Sequence, residues 1–311
     1  MIKDQAILYD ANFNAVSLPH DTILESGEKK FGYSVHALGV NLSSIDEVNT
    51  FETVPGVPGQ SLIHNNKGTR DVSLDLFIRA RDDYDYNLKL NRLYTFLRRL
   101  GVFFIASAQE PNKLLKVKVE GRYTPTRSFT ERRDISEVNV PLSIVGQPYR
   151  ISRYTSMDIH NNDIQFDGKW SAGMHLPAVD ETVNGITMDY QYVFENQTDI
   201  QVFNPSDIDM YVKQHLDCKI EFECLQSMSE IRLLDGLSKE FVFTDDLVAG
   251  DVVTIEGHRI KKNGQLDAGK FNDVYPTLLS NFDEVYQQYS VNEMQVSAGV
   301  KVKFDFRYKY D

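Results

Sequence analysis

Two cysteines, one tryptophan and no long apolar run are what this 311-residue chain is short of, and each scarcity removes a class of protein. Cys218 and Cys224 lie in DCKIEFEC, which alternates like a strand with Cys218, Ile220, Phe222 and Cys224 on one side. Six residues of strand span about 20 Å, against the roughly 4.4–6.8 Å between Cα atoms that a disulfide tolerates. The two thiols are therefore expected to be free and half-buried. As zinc ligands they lack both the close spacing and a nearby His or Cys to complete the set. No run of about 18 apolar residues occurs, so no membrane span is expected. The segment MIKDQAILYD is acidic and strand-like, unlike a secretory signal, and the expectation is synthesis and folding in a cytoplasm.

Catalytic signatures are missing too. There is no Gly-x-Ser-x-Gly elbow, no phosphate-cradling Gly-x-x-x-x-Gly-Lys loop and no dinucleotide glycine fingerprint. Seven histidines (His20, His36, His64, His160, His175, His215, His258) are scattered, with neither His-x-His nor His-Glu-x-x-His among them. Asp158, His160 and Asp163 come nearest to a cluster, but they lack the spacing and the glycine of a calcium loop, so a solvated loop is the expectation. Paired carboxylates abound, and a glycosidase pair is defined by separation across a cleft, which a sequence does not show. No catalytic, cofactor-binding or metal-binding residue is assigned, and the chain is read as no enzyme. Trp170, in FDGKWSAGMHL beside Asp167 and Lys169, is either a sugar-stacking ring or, more commonly, a core or interface anchor.

What is present is a chain long enough for two domains, with 41% hydrophobic and 25% charged residues, ordinary for folded protein. Charge divides unevenly. Residues 1–150 carry 19 Lys and Arg against 18 Asp and Glu, whereas residues 151–311 carry 14 against 27. That asymmetry supports a boundary near Tyr149–Tyr154, giving domains 1–150 and 151–311. An acidic second half argues against nucleic-acid binding over its surface, because phosphate contacts need Lys and Arg.

The stretch from Asp71 to Val145 reads as strand, helix, strand, strand, strand. In DVSLDLFIRA the apolar residues Val72, Leu74, Leu76 and Ile78 recur at period two. Asp82 and Asp83 then offer an N-cap, and Tyr86, Leu90, Leu93, Leu97 and Leu100 recur at helical spacing. Arg98 and Arg99 suit the last turn, and Gly101 supplies the stop. VFFIA is a buried strand, and LLKVKVEGRY alternates Leu115, Val117 and Val119 inward. A polar, basic turn (TPTRSFTERRD) returns the chain through Val138, Val140, Leu142 and Ile144, so a long protruding hairpin is expected. Before this stretch, QAILYD, FGYSVHALGV and IDEVNTFETV are strand candidates, two Pro-Gly pairs force turns, and GQSLIHNNKG is expected to be an exposed loop. After residue 150 no long helix is indicated. Strand-like pieces fall at residues 191–195, 199–203, 218–225, 231–234, 240–243 and 252–255. A hairpin through residues 256–262 ends at the turn pair Asn263-Gly264. The last run alternates Val300, Val302, Phe304, Phe306 and Tyr308. Many short strands with turns between them predict a β-sandwich.

The order of elements, with VPGVPGQSLI and GTRDVSLDLFIRA before the helix and EVNVPLSIVGQPYR closing the domain, resembles siphophage distal tail (Dit) proteins. The resemblance implies a mainly β chain. Its first domain would be a phage tail-tube-like antiparallel sheet with one packed helix, and its second a galectin-like or carbohydrate-module-like sandwich. It further implies a structural hub of the tail tip: a homohexameric ring joining the tail tube to the baseplate and leaving a channel through which DNA passes without specific binding. The partners implied are the tail tube protein, a tail-associated tip or lysin protein and receptor-binding proteins. The location implied is the virion of a phage with a Gram-positive, possibly staphylococcal, host. Host cell-wall glycan bound through the second domain is the alternative. Arg122, Arg127, Arg132 and Arg133, interleaved with Tyr123 and Phe129, compose either a solvated loop or a protein interface. The resemblance favours a subunit interface, since a specific DNA grip there would obstruct transit.

Overall fold

Alternation in DVSLDLFIRA becomes the centre of a curved antiparallel sheet. The computed structural model describes residues 4–19, 34–53, 55–56, 58–127, 135–161, 173–178, 181–267 and 269–311. Its backbone separates into one unit of Met1–Arg150 with Asp311 and a second of Ile151–Tyr310. The first contains β1 (Ala6–Tyr9), β2 (Ala15–Val16), β3 (Val35–Leu42), β4 (Glu47–Glu52), β5 (Ser61–Lys67), β6 (Val72–Arg79), α1 (Asp83–Leu100), β7 (Val102–Ser107), β8 (Lys113–Val119), β9 (Thr126–Arg127) and β10 (Ile135–Ile144). Antiparallel pairing runs β3-β6-β10-β8-β7-β1-β2. The sheet curls until the Gln5 amide donates to the Ala37 carbonyl at 2.8 Å, so the start of β1 meets β3. Val72, Leu74, Leu76 and Ile78 are all buried, opposite Val138, Val140 and Leu142 of β10.

Helix α1 closes this core. Asp82 accepts a hydrogen bond from the Asp85 amide (2.8 Å) as N-cap, and Gly101 ends the helix at φ 67°, a conformation costly for a residue with a Cβ. Tyr86, Leu93 and Leu97 are buried, while Leu90 and Leu100 pack at the margin. Lys89 is buried as well, its ammonium 2.6 Å from the Asp85 carboxylate one turn earlier. The structure corrects two expectations. The returning arm of the hairpin, β10, pairs with β8 from Leu142 to Ile144 and with β9 at Ser136 and Glu137, while β6 lies beside it from Ile135 to Leu142. Along its described residues the hairpin therefore lies within the sheet rather than protruding, and its turn falls outside the described residues. GQSLIHNNKG is no loop, since most of it forms β5, which pairs with β4.

The second unit opens with β11 (Arg150–Thr155) and the single-turn α2 (Ser156–His160). Short strands follow: β12 (Thr182–Val183), β13 (Ile186–Thr187), β14 (Val193–Glu195), β15 (Asp199–Val202), β16 (Met210–Tyr211) and, after a 3-10 turn, β17 (Cys218–Cys224). The remainder is β18 (Met228–Leu234), β19 (Glu240–Leu247), β20 (Val252–Glu256), β21 (Arg259–Lys262), β22 (Gln265–Leu266), β23 (Thr277–Leu278), β24 (Phe282–Asp283), β25 (Gln288–Tyr289), β26 (Asn292–Val296) and β27 (Val300–Tyr310). One sheet runs β14-β27-β17-β20-β21-β22 and another β15-β26-β18-β19, all antiparallel. Their inner faces share one core, in which the Phe222 and Phe241 rings stack 5.9 Å apart across the two sheets. Cys218 and Cys224 are free and fully buried rather than half-buried. Asn263 and Gly264, at φ 50° and 81°, make the turn between β21 and β22 that their sequence demands. Loops at the sheet ends are tied by buried amides. Asn281 Oδ1 accepts from the Asn204 amide and from Asn292 Nδ2, both at 2.7 Å, and Asn204 Nδ2 donates to Leu278 O at 3.1 Å.

A buried charged group adds a pH term. Lys309 Nζ lies 2.6 Å from His215 Nδ1 and 2.9 Å from Asp217 Oδ1. Burial, with the Lys309 ammonium adding to it, pushes His215 down to about 4 from 6.5. Between those values the unfolded chain takes up a proton that the folded chain refuses, so this stabilisation is complete above pH 6.5 and drains away as pH falls towards 4. Urea unfolding across that window should show His215→Gln less pH-sensitive than the parent chain. Equal slopes would remove His215 from the account. Phe222→Ala should cost the second unit about 3–5 kcal/mol in the same assay, through the cavity it opens between the sheets.

Candidate assembly surface

Strands β4 and β5 form a two-stranded ribbon whose thirteen residues are all exposed. Its root is fixed. The Asp46 amide donates to Thr69 O (2.8 Å), the Gly68 amide donates to Asp46 O (2.7 Å), and Lys67 pairs with Glu47 at 2.7 Å. The Lys67 hydrogen bond holds the Glu47 carboxyl below its ordinary range. A Cβ on Gly68 would sit 3.2 Å from Asp46, so the crossing at the root favours glycine. Further out the ribbon turns apolar. Phe51 and Leu62 face each other in register, each 54% exposed, and Ile63 occupies the bulge beside them at 59%. Among the described residues neither strand has another sheet neighbour. A free-standing two-stranded hairpin is marginal in water, and its open edges and apolar pair are what a protein normally hides.

A second exposed surface lies on α1. Tyr84 is 89% exposed, Leu88 follows one turn on, and Asn91, Arg92, Thr95, Phe96, Arg99 and Leu100 line a shallow groove of about 570 Å³. An apolar floor with a cationic rim is a composition enriched at protein interfaces.

The basic turn is divided by the structure. Arg122 is exposed. Tyr123 is half-buried with its ring edge-on to Tyr94 of α1 at 5.4 Å, and burial raises its phenol. Arg127 lies over the Tyr86 ring (4.2 Å) and pairs with Asp83, while its two-residue strand β9 joins Ser136 and Glu137 of β10. Tyr123 and Arg127 therefore brace α1 within their own unit. Phe129, Arg132 and Arg133 lie outside the described residues, as do Asp163, Asp167, Lys169 and Trp170. Asp158 and His160 have local roles: Asp158 completes a capping box with Thr155, and His160 Nδ1 accepts from the Tyr192 amide (3.3 Å). Sequence reading found β4 of the ribbon but missed its partner β5, and also missed His175, whose ring lies between Asp207 and Glu284. No local signal marks that trio, whose members are 32 and 77 positions apart along the chain.

A barrel-like sheet carrying one helix, followed by a two-sheet unit, defines a class. Residues 34–143 match the family described as phage tail protein RIFT-related domain. The distal tail protein of phage SPP1, described as a paradigm of the hub adsorption apparatus in phages infecting Gram-positive bacteria, superposes over 91% of this chain and 96% of its own. Its TM-score is 0.56 at 11% identity. A chain of the phage p2 baseplate in its activated conformation with strontium aligns over 98% of both chains at TM-score 0.41 and 10% identity. No curated protein sequence matches the chain. Residues 34–143 thus match a phage tail domain family, and the chain is mainly β with the fold of a siphophage distal tail protein, as the resemblance implied.

Proposed function

We propose that this chain is the hub of a siphophage tail tip, closing a ring that joins the tail tube to the baseplate. One observation carries the reading: an exposed apolar ribbon, unsatisfied on its own, rooted in a phage tail domain. Ring closure needs two different, complementary patches per subunit, related by a rotation that closes. The ribbon supplies one patch. The outer face of α1, with its Phe96 floor and Arg92 and Arg99 rim, is suited to supply the other. The basic turn, Arg122, Tyr123 and Arg127 with Phe129, Arg132 and Arg133, is assigned to the same subunit contact. Six subunits are proposed from the resemblance, with DNA passing through the ring ungripped. The acidic unit of residues 151–311 would dock the tip or lysin protein and receptor-binding proteins. The chain acts structurally, without catalysis, in the virion of a phage of a Gram-positive, possibly staphylococcal, host. The likeness to a hub of Gram-positive-infecting phages supports that assignment.

Native mass measurement and negative-stain imaging, with and without tube protein, test this. The expected result is a closed ring with a central hole, lost in the Phe51→Asp, Leu62→Asp double variant while its circular dichroism stays that of the parent. A parent chain monomeric even with tube protein overturns the ring, and a double variant that assembles normally overturns the ribbon as its seat.

A second reading has its own observation. A polar cleft of about 250 Å³ in the second unit is lined by Asp189, Gln191, Asp199 and Gln201 beside Phe194 and Phe203, a mixture suited to a sugar. Calorimetry with teichoic acid and peptidoglycan fragments should then give saturable heat that Asp189→Asn reduces. No heat removes glycan binding and leaves docking alone.

A further inference from the structure

His175 stands apart from the assembly surfaces and from every role assigned above. It is held at φ 54°, a backbone conformation that costs a side-chain-bearing residue energy and persists where surroundings over-determine it. Its ring is 15% exposed and stacks on Phe282, with centroids 4.0 Å apart. Two tyrosine hydroxyls pin the segment that carries it: Tyr310 donates to Met174 O (3.1 Å) and Tyr190 to Pro177 O (2.5 Å). On one side, ring atom Nδ1 is 3.0 Å from Asp207 Oδ1, close but off the line of a hydrogen bond, and on the other, Nε2 is 2.9 Å from Glu284 Oε1. These two carboxylates come from separate loops, each positioned independently. The Asp207 amide donates to Lys309 O at 2.9 Å. Glu284 sits on a turn whose Val285 and Tyr286 amides donate to Asp283 Oδ1, and its Oε2 accepts from Gln287 Nε2 at 3.2 Å. His175 and Glu284 line a cavity of about 420 Å³ together with Glu181.

We propose that His175, Glu284 and Asp207 form a site for a divalent transition-metal ion, with His175 Nε2 and the Glu284 carboxylate as direct ligands and Asp207 orienting the imidazole from behind. Ligand atoms of the three residues lie within 4.8 Å of one another. At metal–ligand distances of about 2.0–2.2 Å, two atoms as close as Nε2 and Oε1 subtend roughly 90° at the ion, an adjacent pair in its coordination shell. The open cavity leaves room for water to complete that shell. A small rotation of the ring about its present position would turn the Asp207 approach into the carboxylate hydrogen bond that, with metal on the other nitrogen, fixes tautomer and ring orientation in histidine sites. One imidazole with carboxylates favours zinc or a neighbouring d-block ion over calcium, which takes an all-oxygen shell. Bound there, the ion would cross-link the segment 173–178 to the β24–β25 hairpin inside the second unit. The inference does not depend on ring formation.

The experiment strips the full-length protein with a chelator and titrates Zn²⁺ by calorimetry, with Co²⁺ absorption as a second readout and Ca²⁺ as the control. One saturable zinc site per chain is expected, with a raised thermal midpoint. Glu284→Gln, at a side chain 61% exposed, should weaken binding at least tenfold with the fold intact. Asp207→Asn should weaken it about 10–100-fold through loss of ring orientation. His175→Asn should abolish both the heat and the cobalt signal. No saturable zinc binding, binding unchanged in Glu284→Gln or His175→Asn, or calcium bound as tightly as zinc would each overturn the proposal.

Discussion

Strand β27 is the constraint on which the second unit depends. Its buried residues Val300, Val302, Phe304, Phe306, Tyr308 and Tyr310 supply six inward side chains to one core. One edge pairs with β17 from Val300 to Phe306. Elsewhere along its length β14 pairs with residues 301–303, β11 is a further neighbour in the sheet, and two serine hydroxyls add to the pairing. Ser156 Oγ accepts from the Phe306 amide and donates to Phe304 O, and Ser152 Oγ accepts from the Tyr308 amide. A register slip of one residue would turn all six side chains out of the core, so this strand's pairing is tightly specified. Its far end then fixes what surrounds it. The Tyr310 hydroxyl holds the segment bearing His175, and the Lys309 carbonyl holds the Asp207 amide. The position of the proposed ion site is thus a consequence of strand register rather than of any local motif.

The first unit answers the same requirement differently. Its sheet spends its apolar residues inward, so the outward face of β3, β6 and β10 is polar and internally satisfied: Asp75 accepts from the amides of both Asn41 and Asn139 at 2.7 Å. The β4–β5 ribbon is its opposite, with open edges, an apolar pair and no core beneath it. Free energy for association is available where burial is incomplete, and in the described part of this unit that means the ribbon and the outer face of α1.

How much of this was legible follows from what makes a pattern. The residues of β6, α1 and β27 announce themselves because one face of each is buried, and burial on one side is what writes period two or 3.6 into a sequence. Strand β5 was invisible for the same reason, since SLIHNNK buries neither face and so carries no alternation. Arg127 and Tyr123 were legible as an Arg–aromatic cluster, but the same composition serves an intramolecular brace on Tyr86 and Tyr94 as well as an interface. Lys89 breaks the helix pattern outright. A lysine on the inner face is tolerable because Asp85 lies one turn away, a pairing that spacing permits and burial makes necessary. The trio around His175 was unreadable because three loops bring it together.

Charge and apolar surface separate the two roles proposed for the chain. Part of the second unit's acidity is neutralised internally. Asp245 is held at about 2, chiefly by hydrogen bonds from Lys262 and then Lys270, and Glu256 is lowered by Lys261. The remaining excess of carboxylates still gives residues 151–311 a field that steers cationic partners and is screened over about 10 Å at 0.1 M salt. Contacts made through Phe51, Leu62 and Ile63 have no such dependence, because removing apolar surface from water does not weaken as counterions are added. A ring seated on the ribbon would therefore persist in salt that loosens whatever the acidic unit docks. One chain can in this way hold a permanent conduit and an exchangeable periphery by assigning each to a different kind of force.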